Sequence, residues 1–504
     1  MTTSVVGPAV AFSIAALAVV TLTPAIARWA TRWGAVDWPD GRRKSHEKPV
    51  PRGGGVAIAL AVLVAVPLVL LLIAPLQASS SAWLMRGLMP AVVVLLLVGI
   101  IDDVLTLTGI YKLIGQVLAV SVLVAGGTSF EQISLFGILI PLGDFCIPFT
   151  IFFCLGAINA FNLIDGADAL ASTIGAIVCA TLGVITATRH DGTSSLICFA
   201  MAGALVAFLR YNIPPAKVYL GDTGSMLIGL VVAAVAIDCS IKQEAAFVLA
   251  VPLAICAIPI LDAGAALIRR VTTGQSVFAA DRGHLHHALL LRGISVGKTV
   301  AVIGGLSALT CGGALVSYYT NNDLFALATT GGVFVTLAVA RVFGHAEAAL
   351  VASRSRSLVR SLVFRNVRRA GRGSESAVQL QGTRKWQKLW TALRETTPLY
   401  NVTGLTLQIS IPQLHESFYA NWDSNVADSR GETWRVTLPL MLDGHSIGKL
   451  SLVGAADGRQ ALADMQHLLD YLHSLHGEIE QVLVGQQEAS DQSWKTAEMA
   501  PALN

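Results

Sequence analysis

Charge is scarce in this sequence. Asp, Glu, Lys and Arg make up only 13% of its 504 residues, where soluble domains carry about 25%, so a wholly soluble globular protein is excluded. The excess of base is small, a net charge of +3, and the basic residues are spread over loops rather than massed on one face. That excludes a nucleic-acid partner. The seven cysteines form no C-x-x-C pair and mostly sit inside apolar runs, which excludes a disulfide framework and leaves them as small buried hydrophobes. No Lys or Arg precedes the first apolar run and no clear cleavage site follows it, so Val5–Ala27 is expected as a retained span rather than a signal peptide.

What the chain has in abundance is apolar length: 54% hydrophobic residues and a mean hydropathy of +0.64. A membrane span needs about 20 apolar residues. Eleven candidates are read, at roughly 6–27, 55–76, 87–103, 113–126, 147–164, 168–188, 194–211, 223–238, 245–268, 299–318 and 324–343. The expected fold is an all-α polytopic membrane protein of about eleven transmembrane helices, followed by a soluble α/β module. One set of loops holds fifteen Lys and Arg, the opposite set only three, Arg86, Arg189 and Lys242. The positive-inside rule makes the first set cytoplasmic, with the N-terminus outside and the C-terminus inside. The outer loop Phe130–Phe145 alternates apolar residues around Gly137 and Gly143 and reads as a small hairpin.

The transmembrane domain is expected over 1–345. From 346 to 383 come a basic stretch (Arg354, Arg356, Arg360, Arg365, Arg368, Arg369 and Arg372) and a linker at Gly371–Thr383. The stretch is read as a positive-inside anchor on anionic lipid. Residues 384–485 form the α/β module, with β-like runs at Leu405–Ile411, Thr433–Leu440 and Lys449–Val453 and a helical pattern from Ala461 to Val484. Residues 486–504 read as a disordered tail.

Five short polar motifs interrupt the apolar background: His46-Glu-Lys-Pro-Val-Pro-Arg52-Gly-Gly-Gly, Asp102-Asp103, Asn159-Ala-Phe-Asn162-Leu-Ile-Asp165-Gly-Ala-Asp168, Tyr219-Leu-Gly-Asp222-Thr-Gly-Ser225 and Asp281-Arg-Gly-His284-Leu-His286-His287. All lie in or beside the cytoplasmic set of loops. Carboxylates and histidines at helix mouths are costly in a membrane protein and mark function. Asp102 and Asp103 repel each other and require a nearby cation; magnesium suits oxygen ligands and substrate phosphates. An Asp-Asp-x-x-Asp prenyl-diphosphate motif is excluded, because Thr106 stands where the third Asp would be. Lys112 and Gln116, one turn apart, suit a phosphate, although Lys112 equally suits an interfacial role. Asp165 and Asp168 share one helix face, and Asn159 and Asn162 extend it. Gly221 and Gly224 permit tight turns at a helix N-terminus that attracts anions, with Asp222 as a magnesium ligand and Tyr219 placed to stack on a base. The histidine loop matches no common zinc spacing, and phosphate contact through Arg282 and the histidines fits better. His46, Lys48 and Arg52 give the first loop positive charge. Asp262, inside the ninth span, is a functional candidate by position and equally a structural partner.

Together the motifs resemble the polyprenyl-phosphate N-acetylhexosamine-1-phosphate transferases, glycosyl transferase family 4, over about residues 1–345. The Asp-Arg-Gly-His-Leu-His-His form looks like the branch that uses UDP-N-acetylglucosamine; the Pro-Leu-His-His-His loop usual in the UDP-MurNAc-pentapeptide branch is absent. The resemblance implies a ten- or eleven-helix bundle with a cytoplasmic site that uses Mg2+, with Mn2+ as a substitute. It implies transfer of a sugar-1-phosphate from a UDP-N-acetylhexosamine to undecaprenyl phosphate in the bacterial inner membrane. Asp102, Asp103, Asp165 and His284 become the catalytic candidates. Asp222, Asp102 and Asp103 become the metal ligands. His46, Lys48, Arg52, Lys112, Gln116, Asn159, Asn162, Asp168, Tyr219, Arg282, His286 and His287 become the substrate contacts. Ala169 departs from the family, which usually has a second Gly there. A homodimer and a protein partner for the C-terminal module are left open. The alternative class is an ion-coupled transporter, which the clustering of carboxylates at one surface and the lack of an internal repeat disfavour.

Overall fold

The computed structural model describes residues 2–38, 49–72, 83–135, 138–188, 192–241, 250–273, 275–276, 283–352, 355, 374–381, 386–397, 402–411, 416–424, 432–442 and 445–456. The chain divides into two compact units, one of residues 1–267 with 284–344 and one of 268–283 with 345–504.

The first unit is a helical bundle. Its elements are α1 (Thr2–Arg32), the two-residue strands β1 (Val36–Asp37) and β2 (Val50–Pro51), α2 (Gly54–Leu72), α3 (Met89–Leu105), α4 (Gly109–Ala125), the hairpin strands β3 (Gln132–Leu135) and β4 (Ile138–Pro141), α5 (Cys146–Ile164), α6 (Leu170–Thr188), α7 (Gly192–Asn212) and α8 (Gly221–Ile241). Then come α9 (Ala250–Ile255), α10 (Ala257–Thr272, whose last turn from 268 belongs to the second unit), α11 (Leu285–Leu290), α12 (Val296–Thr320) and α13 (Leu324–Val339). Among the described residues, eight helices are long and apolar enough to cross a membrane, and α4 and α13 are shorter apolar helices. The chain is therefore a multi-pass membrane protein, and the hairpin expected between 130 and 145 is present, with Ile133 paired to Ile140.

The expected span 245–268 is not one helix. It breaks into α9 and α10 at Cys256, and residues 245–249 lie outside the described residues. The cause is local. Pro259 has no N–H to return to the carbonyl of Ile255, and Cys311 Sγ donates to that carbonyl instead, at 3.7 Å. Hydropathy averages over such a break and does not register it.

Helix α8 is the hub. Every residue from Met226 to Ile237 is buried, which suits a helix apolar on all sides. Small residues let its neighbours approach backbone to backbone, since lipid offers no hydrophobic drive for helices to associate. A methyl on Gly55 of α2 would lie 2.1 Å from the Gly224 nitrogen, and one on Gly99 of α3 would lie 2.6 Å from the Thr223 Cα. The first turn of α8 is thus held against α2 and α3, where Asp222 sits.

The second unit carries a five-stranded antiparallel sheet of β5 (Ser374–Gln381), β6 (Val402–Ile411), β7 (Glu416–Asp423), β8 (Glu432–Leu442) and β9 (His445–Ala456), in the order β5-β7-β6-β9-β8. Helix α14 (Trp386–Thr396) sets Trp386, Leu389, Trp390 and Leu393 on one stripe, all buried in a core with Leu405, Leu407, Ile409 and Phe418. The two indoles find acceptors, as buried indoles do: Trp386 donates to Glu416 at 3.0 Å and Trp390 to Glu375 at 2.9 Å. Strands β6, β8 and β9 match the expected runs. The linker expected at 371–383 is corrected: residues 374–381 form β5, and the module starts before 384. Ser, Glu and Gln dominate that segment, and an edge strand bonded only to β7 tolerates such polarity. Strand β7 and α14 were not anticipated. The basic stretch, apart from residue 355, the helix expected from Ala461 to Val484 and the 486–504 tail lie outside the described residues.

Candidate active site

The turn between α3 and α4 builds the first half of the site. Thr106 takes a left-handed conformation (φ 51°), its N–H returns to the Asp102 carbonyl, and the Leu107 N–H donates to Asp102 Oδ1 at 2.8 Å. Helix α4 therefore starts beside the end of α3. Its first turn points Lys112 back at Asp102, Nζ to Oδ2 2.9 Å, and at Asp222 Oδ1, also 2.9 Å. One ammonium thus bridges carboxylates from two motifs. Asp222 keeps 36% of its side-chain surface while Asp102 keeps 4%, so Asp222 is the carboxylate open to a ligand.

The two adjacent acids do different work. Asp103 accepts the N–H of Asp222 at 3.0 Å, the N–H of Thr223 at 3.4 Å and the Thr223 hydroxyl at 2.7 Å. It caps α8 from another helix, satisfying donors that the helix itself leaves free. Gly221 turns at φ +74°, and a methyl there would lie 2.8 Å from Asp103 Oδ2, so only glycine serves.

From α5, Asn162 donates to Asp222 Oδ1 at 2.5 Å and to Ser225 Oγ at 2.9 Å. Asp165 ends α5 with a non-helical ψ of 51°. No hydrogen bond reaches its carboxylate among the described residues. Burial, together with the carboxylates of Asp222, Asp103 and Asp168, holds its pKa well above the usual range, so it is in want of a cation. Gln116 and Asn159 are brought together on α4 and α5, Asn159 Nδ2 to Gln116 Oε1 2.8 Å. Gln116 is fully buried and its bond to the half-buried Asn159 ties α4 to α5. Asp168 accepts the Ala216 N–H at 2.9 Å and so braces the loop ahead of Tyr219.

The first loop joins the same place through its backbone. Tyr219 N donates to Pro51 O at 2.9 Å, and the N–H groups of Gly54 and Gly55 donate to the carbonyls of Tyr219 and Leu220 at 3.0 and 2.8 Å. Burial and the Asp168 and Asp37 carboxylates push the Tyr219 phenol up to about 12, which keeps it a neutral donor. Arg52 forms an ion pair with Asp37, a partner the sequence reading missed because it lies outside the motif. His46, Lys48 and Arg282 lie outside the described residues.

The histidine loop closes over Asp165. Asp262 of α10 takes His284 Nδ1 at 2.8 Å and the Leu285 N–H at 2.7 Å. The rings of His284 and His286 lie nearly parallel with centroids 5.9 Å apart, and His287 follows at 4.2 Å from His286. A methyl on Gly166 would lie 2.4 Å from His286 Nε2, so the imidazole rests on the Asp165–Gly166 backbone. Both His286 nitrogens lack a hydrogen-bond partner among the described residues. Burial and then the His287 charge hold its pKa down at about 3, so it is neutral. Asn212, also absent from the sequence reading, clamps the following turn: its Oδ1 accepts the Ala169 N–H and the Ser172 hydroxyl, each at 3.0 Å.

The oxygen donors here suit a hard divalent ion. Asp222 is half-buried with part of its carboxylate open, and Asp165 has no hydrogen-bond partner among the described residues; magnesium takes one or two carboxylates, several waters and substrate phosphates rather than a closed protein cage. No cage of three His, Cys, Asp or Glu groups forms among the described residues. Asp102, committed to Leu107 and Lys112, and Asp103, committed to α8, are less free to ligate than Asp222.

The family model described as glycosyl transferase family 4 matches residues 85–240, which span the Asp102, Asp165 and Asp222 motifs. The chain is similar to the probable undecaprenyl-phosphate N-acetylglucosaminyl 1-phosphate transferase of Bacillus subtilis, with 31% identity over 58% of this chain and 80% of that protein. It is 32% identical to the decaprenyl-phosphate N-acetylglucosaminephosphotransferase of Mycobacterium leprae over 64% of this chain and 88% of the relative. It is 29% identical to the undecaprenyl-phosphate alpha-N-acetylglucosaminyl 1-phosphate transferase of Escherichia coli O157:H7 over 58% and 79% of the two chains.

Proposed function

We propose that this chain, which belongs to glycosyl transferase family 4, transfers N-acetylglucosamine-1-phosphate from UDP-N-acetylglucosamine to undecaprenyl phosphate and releases UMP. The names of its relatives support the lipid and the sugar. The observation that carries the mechanism is Lys112 Nζ at 2.9 Å from both Asp102 and Asp222. It joins the Asp102-Asp103 and Asp222 motifs in one charged centre at the mouth of four helices.

The chemistry follows from charge. An oxygen of the lipid phosphate attacks the β-phosphorus of the nucleotide sugar. The bond from that phosphorus to the bridging oxygen breaks, and UMP departs with the electron pair. The product is a polyprenyl diphosphate sugar, the starting intermediate of an envelope polysaccharide or teichoic-acid-type polymer. Two anions must meet, so most of the barrier is repulsion, and positioning and charge compensation dominate such transfers. Bound Mg2+, with Mn2+ as a substitute, would neutralise phosphate charge beside Asp222 and Asp165. Lys112 offers an ammonium to the acceptor phosphate as a point charge. Asn162 holds Asp222 in place. The histidine loop presents imidazoles to the diphosphate, and Tyr219 keeps its hydroxyl proton for the nucleotide. The positive-inside count supports a cytoplasmic site in the bacterial inner membrane.

The test is the purified protein with undecaprenyl phosphate, Mg2+ and a panel of UDP-sugars, assayed for UMP and labelled lipid. UDP-N-acetylglucosamine should give both. Another UDP-N-acetylhexosamine as the better donor would correct the sugar. Ion-coupled uptake in vesicles without lipid product would replace the reading altogether.

A further inference from the structure

We infer that Asp262 is the positioning residue that fixes the tautomer and direction of His284 in this site. The inference deepens the transferase reading and rests on it for its kinetic consequence.

Asp262 is an acid in the middle of α10, 1% exposed. A carboxylate so placed in a membrane bundle is expensive unless it is satisfied. Its two oxygens are divided between two acceptor roles: Oδ1 takes the Leu285 N–H at 2.7 Å and Oδ2 lies 2.8 Å from His284 Nδ1. The first bond fixes the start of α11 and so the height of the loop. The second fixes the ring. A carboxylate accepts only, so His284 Nδ1 carries a hydrogen and Nε2 is left as the atom that can meet a ligand. No group among the described residues bonds that Nε2. His284, itself 5% exposed, is the N-cap residue of α11 but makes no side-chain cap bond, so its ring is committed to Asp262 rather than to its own helix. The orientation passes onward, since the His284 ring stacks on His286 and His286 rests on Gly166 beside Asp165. A carboxylate behind a functional imidazole is the arrangement that orients histidines in hydrolases and metal sites.

Asp262→Asn separates the two bonds. The amide oxygen still accepts the Leu285 N–H, so the loop stays, but the amide nitrogen faces His284 Nδ1 as a donor. The ring must then accept at Nδ1 and move its proton to Nε2. In 15N-histidine NMR of the full chain, the His284 signal, assigned by its loss in His284→Gln, should show a protonated Nδ1 in the wild type and an unprotonated one in Asp262→Asn. In the UMP assay Asp262→Asn should lower kcat about 10- to 100-fold, the range for losing an orienting partner, with the KM for the UDP-sugar little changed. In a His284→Gln background it should cost nothing further, because both changes remove one device. Asp262→Glu should restore Nδ1 protonation and part of kcat. An unprotonated Nδ1 in the wild type overturns the inference, and so does an Asp262→Asn loss that multiplies in full with that of His284→Gln. If Asp262→Asn does not insert, the wild-type spectrum and Asp262→Glu still decide. If no UDP-sugar yields UMP, the transferase reading fails while the tautomer result stands alone.

Discussion

Asp103 accepts the backbone N–H of Asp222 across 119 residues of chain at 3.0 Å, and through that bond the first turn of α8 is aimed. Replacing an N-cap acceptor costs about 1 kcal/mol, and here the loss also frees the residue next to Lys112. Asp103→Asn keeps one accepting oxygen and should retain partial activity. Asp103→Ala should lower the melting temperature in detergent and reduce UMP release further than Asn does. Equal loss in both variants with unchanged melting would mean that the carboxylate acts on substrate instead.

Asp222→Asn should abolish transfer, by at least about 100-fold in kcat as charge-stabilising groups do, while the protein still inserts. Asp222 is more open than Asp102, and Lys112 and Asn162 already hold it in place, so the amide changes charge more than shape. Lys112→Met should leave two carboxylates facing each other and weaken use of the lipid phosphate, with Lys112→Arg recovering some of it. Chelation of divalent ions should silence the wild type, and added Mg2+ should restore it. Near-normal turnover by Asp222→Asn would remove the centre of the proposed site.

Much of this was legible in the chain and some was not, for identifiable reasons. Long apolar runs announce bundle helices because lipid leaves backbone groups no other partner. The motifs stand out because polar residues are costly there. Roles within a motif are harder. Asp102 and Asp103 are neighbours in sequence, yet successive helix residues face different ways, so one meets Lys112 and the other meets α8. Gln116 and Asn159 read as ligand residues, and their mutual bond is not visible in the sequence. Asp262 belongs to no motif, and only the return of the chain 22 residues later gives it a partner. In the C-terminal module, polar β5 at the sheet edge and β7 beside it carry too little apolar alternation to mark themselves, and pairing rather than composition makes them strands.

Gly166→Ala should disturb the histidine loop without unfolding the bundle. Its methyl would fall 2.4 Å from His286 Nε2, while α5 and α6 on either side pack chiefly on α8 and α7. We expect a raised KM for the UDP-sugar and lower kcat at near-normal melting temperature. Wild-type kinetics would show that the loop moves away at no cost.

Ala169→Gly tests strain rather than chemistry. Ala169 sits at φ 65°, where an L residue pays roughly 1–2 kcal/mol and glycine does not. Its conformation is forced by the Asn212 bond to its N–H and by the need to turn into α6. Glycine there gives back part of the gain through the freer unfolded chain, so a net stabilisation of about 1 kcal/mol is expected, read as a higher melting temperature with unchanged kcat. The gain should vanish in an Asn212→Ala background, where nothing pins the turn. If glycine destabilises the parent, the left-handed turn is not what limits that loop, and the alanine is held by packing instead.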